Sequence, residues 1–290
     1  MPRVHLVDAT YELFRAFFGA PKHAAPDGTE TGAVRGILGS MLFLLQQEGA
    51  THVACAADTV IRSFRNDLYA GYKTEEGVPP ELMAQFPLAE QALRALGLVV
   101  WGMIELEADD ALAAGAARYV DEPSVEQVLI CTPDKDLAQC VRGSKVVLVD
   151  RRQKKTYDED GVRAKWGVSP ASIPDWLALV GDSSDGYPGL QGWGEKSASA
   201  LLAFYGHVEL IPDDPRAWKT TVRGADKLAA TLAAGREELA LYKTLATLRV
   251  DAPPKESLAD LEWKGARPEL RDLCRLWGFE DLPERVSRWA

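Results

Sequence analysis

Residues 127–136 read QVLICTPDKD. A β-branched, apolar run stops at Thr132-Pro133, and two aspartates, Asp134 and Asp136, follow at once. A short run without polar alternation fits a strand buried on both faces of a parallel sheet. The same shape recurs along the chain. VHLV (4–7) leads to Asp8, and THVACAA (51–57) leads to Asp58. LVVW (98–101) leads through GMIEL to Glu107, Asp109 and Asp110. KVVLVD (145–150) is a further strand. Helical patterns lie between these runs, at 31–47, 81–96 and 108–119. The βαβ rhythm predicts a mainly parallel sheet flanked by helices.

Ligands of open parallel sheets bind at the carboxyl ends of the strands. Four strand ends that each deliver carboxylate to one edge are hard to attribute to folding alone. Crowded carboxylates repel and raise one another's pKa unless cations lie between them. An all-oxygen donor set suits Mg²⁺ or Mn²⁺, and the four histidines are scattered. Taken singly, each acid has a plainer explanation: Asp109 and Asp110 favour a helix N-terminus, Asp8 caps a helix, and D-K-D is an exposed turn. The joint pattern points to metal.

After about residue 165 the texture changes to short helices punctuated by Pro and Gly, with no credible strand, and 225–248 is Ala/Leu-rich and helical. GDSSD places Asp182 and Asp185 three residues apart, on one side of a helix or turn. GLQGWGEKSASALL (189–202) is a glycine-rich turn running into an amphipathic helix. Such a turn exposes backbone N–H groups suited to phosphate. No strand precedes it, so a dinucleotide fingerprint fits poorly and a helix–hairpin–helix fits better. Gly189, Gly192, Gly194, Lys196 and Ser197 are its candidate DNA-binding residues. SFRNDLYAGYK (63–73) offers Arg65, Tyr72 and Lys73 for a phosphate and an unpaired base, or as ordinary surface side chains lying along their stems.

The chain has 290 residues, 47% of them hydrophobic, enough for a full core. No apolar run approaches the roughly 20 residues of a membrane helix, and MPRVHLVD reads as a strand rather than a secretory signal. The four cysteines form no C-x-x-C pair and suit a reducing cytoplasm. A net charge of −10 opposes a nucleic-acid partner. Two features offset it: the acids are grouped where cations could neutralise them, and basic residues crowd 142–165, as a DNA track or a solvated hairpin.

The pieces D-A-T-Y-E-L-F-R-A-F, A-A-D…S-F-R…Y-K, E-A-D-D, T-P-D-K-D-L, G-D-S-S-D-G-Y-P-G and G-W-G-E-K-S-A occur in one order. That order resembles the bacterial 5′–3′ exonucleases, the nuclease domain of DNA polymerase I and its stand-alone relatives in the flap endonuclease superfamily. The resemblance covers about residues 3–250. It implies a PIN-like domain over 1–165, a helix–three-turn–helix DNA-binding module over 166–250 and a helical extension over 251–290. It also implies a monomeric, cytoplasmic, nucleoid-associated enzyme acting on DNA with 5′ ends, flaps or nicks. Asp8, Asp58, Glu107, Asp109, Asp110, Asp134, Asp136, Asp182 and Asp185 would hold two Mg²⁺ or Mn²⁺ ions. Arg65 and Lys73 match phosphate-handling positions, and Tyr72 matches one that stacks near the scissile nucleotide. The glycine turn matches a phosphate clamp that often holds K⁺.

Two departures stand out. Glu76 takes a place where the family often has Arg, and Gly186-Tyr187-Pro188-Gly189 stands where N-L-P-G or N-I-P-G is common. The first keeps open a catalytically weak, structure-specific DNA-binding protein. A PIN-like RNase is the other alternative, against which the helix–hairpin–helix element argues.

Overall fold

The structure, a computed structural model, describes residues 1–290. The strands are β1 (Arg3–Asp8), β2 (His52–Asp58), β3 (Val99–Met103), β4 (Gln127–Cys131), β5 (Val146–Asp150) and β6 (Lys155–Tyr157). The helices are α1 (Ala9–Gly19), α2 (Gly32–Gln46), α3 (Phe64–Leu68), α4 (Pro80–Met83), α5 (Phe86–Ala95) and α6 (Ala108–Tyr119). They continue with α7 (Glu159–Trp166), α8 (Ile173–Val180), α9 (Glu195–Tyr205), α10 (Ala225–Ala234), α11 (Arg236–Ala246) and α12 (Glu269–Trp277). No helix is long and apolar enough to cross a membrane. The chain divides into two compact units, neither continuous in sequence. One comprises Met1–Ile61, Glu75–Thr132 and Val250–Ala290; the other comprises Arg62–Thr74 and Pro133–Arg249.

The first unit is built on four parallel strands in the order β3-β2-β1-β4. Val4 lies opposite His52 on one side and Val128 on the other, and Ala54 lies opposite Val99. Leu6, Val7, Ala54, Ala56 and Ile130 are fully buried, as strands covered by helices on both faces require. Parallel pairing puts all four carboxyl ends on one edge, and Asp8 and Asp58 are the last residues of β1 and β2.

The pattern over 81–96 suggests one helix, yet two form. Pro87 has no N–H to continue the first turn. Gln85, at the break, is fully buried, and its Oε1 accepts from Ala33 N at 3.0 Å and Val34 N at 3.2 Å. Helix α2 has no side-chain cap of its own, so a residue from the break satisfies its first N–H groups. Residues 250–290 wrap this unit. Trp263 N donates to Thr51 O at 2.8 Å, its Nε1 donates to Leu96 O at 2.8 Å, and Tyr119 Oη donates to Glu256 O at 2.9 Å.

The second unit is mostly helical. The basic stretch after Val141 folds into the antiparallel pair β5–β6, with Val149 opposite Thr156. Helix α8 is buried along most of its length and packs on α11. Gly235 divides the Ala/Leu-rich segment into α10 and α11. Segment 62–74 belongs here because α3 is anchored to the end of α11. Arg65 is 1% exposed, its Nε donates to Leu245 O at 2.8 Å and its Nη2 to Thr247 O at 3.3 Å.

Candidate metal centre

In the first unit the strand-end acids are fixed by backbone N–H groups. Asp8 caps α1 by accepting from Tyr11 N at 2.8 Å, and Thr132 Oγ1 donates to its other oxygen at 2.9 Å. Asp58 accepts from Ala108 N, the first residue of α6, at 2.8 Å. Glu107 precedes α6, and Asp110 accepts from Glu107 N at 3.0 Å. The helix N-terminus thus holds and favours the negative charge that a strand end delivers. Asp8, Glu107 and Asp110 are buried, while Asp58 and Asp109 are half-buried.

In the second unit the carboxyl oxygens of Asp136, Asp182 and Asp185 all lie within 4.8 Å of one another, and all three residues are buried. Asp134 receives Asp136 N at 2.9 Å and so fixes the turn. Two ammonium groups approach the cluster. Lys135 contacts Asp182 and lies 3.9 Å from Asp136, and Lys73 Nζ lies 3.0 Å from Asp185. They do not complete it, because Asp136 Oδ1 is buried and accepts no hydrogen bond. Burial pushes the Asp136 carboxyl well above the usual carboxylate range. Asp134, Asp185 and Asp182 push the same way, with Lys135 opposing. Burial alone would lower the Lys135 ammonium, but Asp136, Asp182 and Asp134 carry it above its ordinary value. Three crowded oxygen donors with one acceptor unmet fit a hard divalent cation such as Mg²⁺ or Mn²⁺.

The segment carrying Lys73 is held in register with this cluster. Lys73 N donates to Asp185 O at 3.0 Å. Gly186 adopts φ +89°, and a Cβ there would stand 2.1 Å from Gly71 O. Only glycine satisfies both conditions. Tyr72 is buried, and Lys73 Nζ lies 5.4 Å from its ring. Glu76, in the first unit, is exposed.

The glycine turn precedes α9. Gly192 adopts φ +84°, and added Cβ atoms at Gly192 and Gly194 would meet nothing within 4 Å. Gly189 instead lies against the backbone of Gly181. Ser197 Oγ accepts from Gly194 N at 3.1 Å and donates to Gly194 O at 2.9 Å, closing the helix start. Gly192, Gly194, Lys196, Ser197, Thr221 and Arg223 line a cleft of about 580 Å³.

Three groups escaped the sequence reading. Lys135 lies between Asp134 and Asp136, and Tyr187 lies in Gly186-Tyr187-Pro188-Gly189, where an aromatic in place of Leu or Ile is the available signal. The third is Asp175, His207 and Glu209, whose ligand atoms also cluster. Lys243 already fills that group, 2.7 Å from Asp175 and 2.9 Å from Glu209. No spacing in the sequence announces it.

Two family models match the chain. "5'-3' exonuclease, N-terminal resolvase-like domain" matches residues 3–167, and "5'-3' exonuclease, C-terminal SAM fold" matches residues 168–269. DNA polymerase I of Bacillus caldotenax is 35% identical over 289 residues, 97% of this chain and 32% of that protein. The chain thus spans about a third of the polymerase relatives. The 5'-3' exonuclease of Aquifex aeolicus is 31% identical over 274 residues, 94% of this chain and 90% of that protein. The zinc-bound 5'-exonuclease of T5 has the same fold, with TM-score 0.67, 18% identity, and 94% and 99% of the two chains covered. The catalytic core of Rad2 with DNA substrate matches at TM-score 0.60 and 16% identity, covering 98% and 89%.

These matches correct the expected PIN-like fold class with its helix–three-turn–helix module: the N-terminal part is resolvase-like and the C-terminal part a SAM fold. The physical reason is that a parallel sheet tipped with carboxylates is shared by several α/β architectures, so strand-end acids do not tell them apart. The matches span both units, and with them the carboxylate cluster, the Lys73 segment and the glycine turn: the chain belongs to the 5′–3′ exonuclease family.

Proposed function

We propose that this chain is a divalent-metal-dependent 5′–3′ exonuclease and 5′-flap endonuclease that hydrolyses DNA phosphodiesters. The observation that carries the reading is the buried Asp136, Asp182 and Asp185 cluster with its unmet oxygen, in a chain of this family. Bound Mg²⁺ or Mn²⁺ would supply Lewis acidity and a nucleophilic water of lowered pKa. Asp136, Asp182 and Asp185 would hold one cation, with Asp134 fixing the turn that presents Asp136. Asp8, Asp58, Glu107, Asp109 and Asp110, in the first unit, are the carboxylates assigned to a second. Lys73, tied to Asp185 through both backbone and side chain, orients the scissile phosphate.

Arg65 acts on the same segment by anchoring α3, and Tyr72 packs beside Lys73. The open space over Gly192 and Gly194, with Lys196, Ser197 and Arg223 around it, supports a duplex-backbone clamp over 166–250, with K⁺ as its monovalent ion. Residues 1–165 are then the nuclease part and 251–290 an extension. Local basic groups act on DNA despite the net charge of −10, because screening confines each charge to about 8 Å at physiological salt. Four free cysteines suit a reducing, cytoplasmic setting.

End-labelled 5′-flap, nicked and single-stranded DNA, each with and without Mg²⁺, tests the reading. Metal-dependent release of 5′ products with preference for the flap or nick is expected. Binding without cleavage at any metal concentration would leave only a structure-specific DNA-binding protein, and preference for RNA would make it an RNase.

A further inference from the structure

Tyr187 lies two residues beyond Asp185, where Leu or Ile would fill the space without a polar atom. Its backbone pairs with Asp182 in both directions, at 2.9 and 3.1 Å. Its ring stacks on Tyr242, with centroids 5.5 Å apart and planes 24° from parallel. The residue is 1% exposed, so neither ring nor backbone has room to turn. Yet its hydroxyl has no hydrogen-bond partner. A buried hydroxyl left unpaired costs about 1–3 kcal/mol.

The other unmet buried atom here is Asp136 Oδ1, in the carboxylate cluster. The two belong to one neighbourhood, because Tyr187 pairs through its backbone with Asp182 of that cluster. A phenol carries its proton at neutral pH and is a hydrogen-bond donor. A bare cation would satisfy the carboxylate oxygen but not an O–H group. A hydrated cation satisfies both, because a hydroxyl accepts from a cation-bound water while donating to a further water of the same shell.

We propose that Tyr187 is a positioning residue of the Asp136–Asp182–Asp185 centre, its hydroxyl holding a water of the bound cation's hydration shell. The role rests on the metal-centre reading above and adds a residue that the strand-end acids do not include. The unpaired hydroxyl is then the metal-free form of a group satisfied on loading. Groups that hold a metal's ligands in this way typically change its affinity by about 10–100-fold.

Tyr187→Phe keeps the stacked ring and deletes only the hydroxyl. Mn²⁺ alone is the probe, with free ion counted by its electron paramagnetic resonance signal and melting followed with and without the ion. Mn²⁺ affinity is expected to fall about tenfold. Without metal the variant should melt at or above the unsubstituted protein, since an unmet group has gone, and Mn²⁺ should raise its melting temperature less. Equal Mn²⁺ affinity in both proteins overturns the role, and so does a metal-free variant that melts lower, which would mean the hydroxyl has a protein partner. Asp136→Asn separates this from the parent reading. If the unsubstituted protein binds no Mn²⁺, or binds it equally after Asp136→Asn, the metal centre itself is wrong. If Asp136→Asn removes binding while Tyr187→Phe does not change it, only the Tyr187 role falls.

Discussion

Two groups of three potential metal ligands lie in the same unit, and they are opposite in kind. Around Asp175, His207 and Glu209 every buried charge is answered. Lys243 bridges the two carboxylates, His207 Nδ1 is 2.9 Å from Asp175, and Val208 N donates to Asp175 at 3.0 Å. Around Asp136, Asp182 and Asp185 the lysines reach only part of the charge, and a carboxylate oxygen and a hydroxyl are left unmet. Proximity of acids therefore does not mark a site. An ion pair carried by the chain itself makes a strut, whereas residual demand at a buried oxygen makes a binding place.

Exchange of the acids should break this contrast in opposite ways. Asp136→Asn is expected to lower metal-dependent cleavage by at least about a hundredfold, since a bound cation contributes several kcal/mol to the transition state. The same variant should stabilise the metal-free protein, with a definite pH dependence. The folded Asp136 carboxyl titrates well above 3.8, its ordinary value. Between the two values the metal-free folded chain binds more protons than the unfolded chain, so stability present below the ordinary value is lost as pH rises through the folded one. Urea midpoints across pH should show that decline in the unsubstituted protein without metal, and a flatter profile in Asp136→Asn.

Asp175→Ala should act through stability alone. It leaves the Lys243 ammonium with Glu209 alone and the buried Val208 N–H without its acceptor, and is expected to cost about 3 kcal/mol, read as a shift in urea midpoint with Mn²⁺ affinity unchanged. Glu209→Ala, on the exposed arm of the same group, should cost less than about 1 kcal/mol. A loss of Mn²⁺ binding in Asp175→Ala would erase the distinction between the two groups. The smallest effect is expected for Lys135→Met. Lys135 must yield part of its contact with Asp182 when a cation enters, so its removal should tighten Mn²⁺ binding by about threefold, under 1 kcal/mol. The metal-free protein should melt lower, because the acids lose a counter-charge. Weaker Mn²⁺ binding would show that Lys135 supports the loaded centre instead.

The strand runs and their terminal acids were legible because a sheet buried on both faces writes itself as contiguous apolar residues. Helix α6 was readable to its ends for the same reason, with acids at its start and apolar residues along its buried side. Pro87 is a visible signal for the break between α4 and α5, but the use made of it was not legible, because Gln85 there serves a helix some fifty residues earlier. Carboxylate identities were equally open to reading, yet the sequence does not state which are answered by lysines. Asp175 in α8 and Lys243 in α11 are separated by helices α9 and α10 and the loops around them, so their pairing exists only after folding. Arg65 and Tyr72 looked like surface contacts for DNA because Arg and Tyr in a short polar segment carry no mark of burial.

The interleaving of the two units has a consequence for biosynthesis. Residues 62–74 leave the ribosome long before their partners, since Arg65 binds a carbonyl 180 positions further on. The first unit in turn is finished by residues 250–290, made after the whole of the second. Contacts of such separation form late, after long loops have closed. Lys73 is therefore expected to settle against Asp185 only once residues 245–247 have been made. A translation product that has not yet reached Leu245 carries all of the clustered acids without a settled Lys73, so the timing of synthesis itself delays completion of the carboxylate centre.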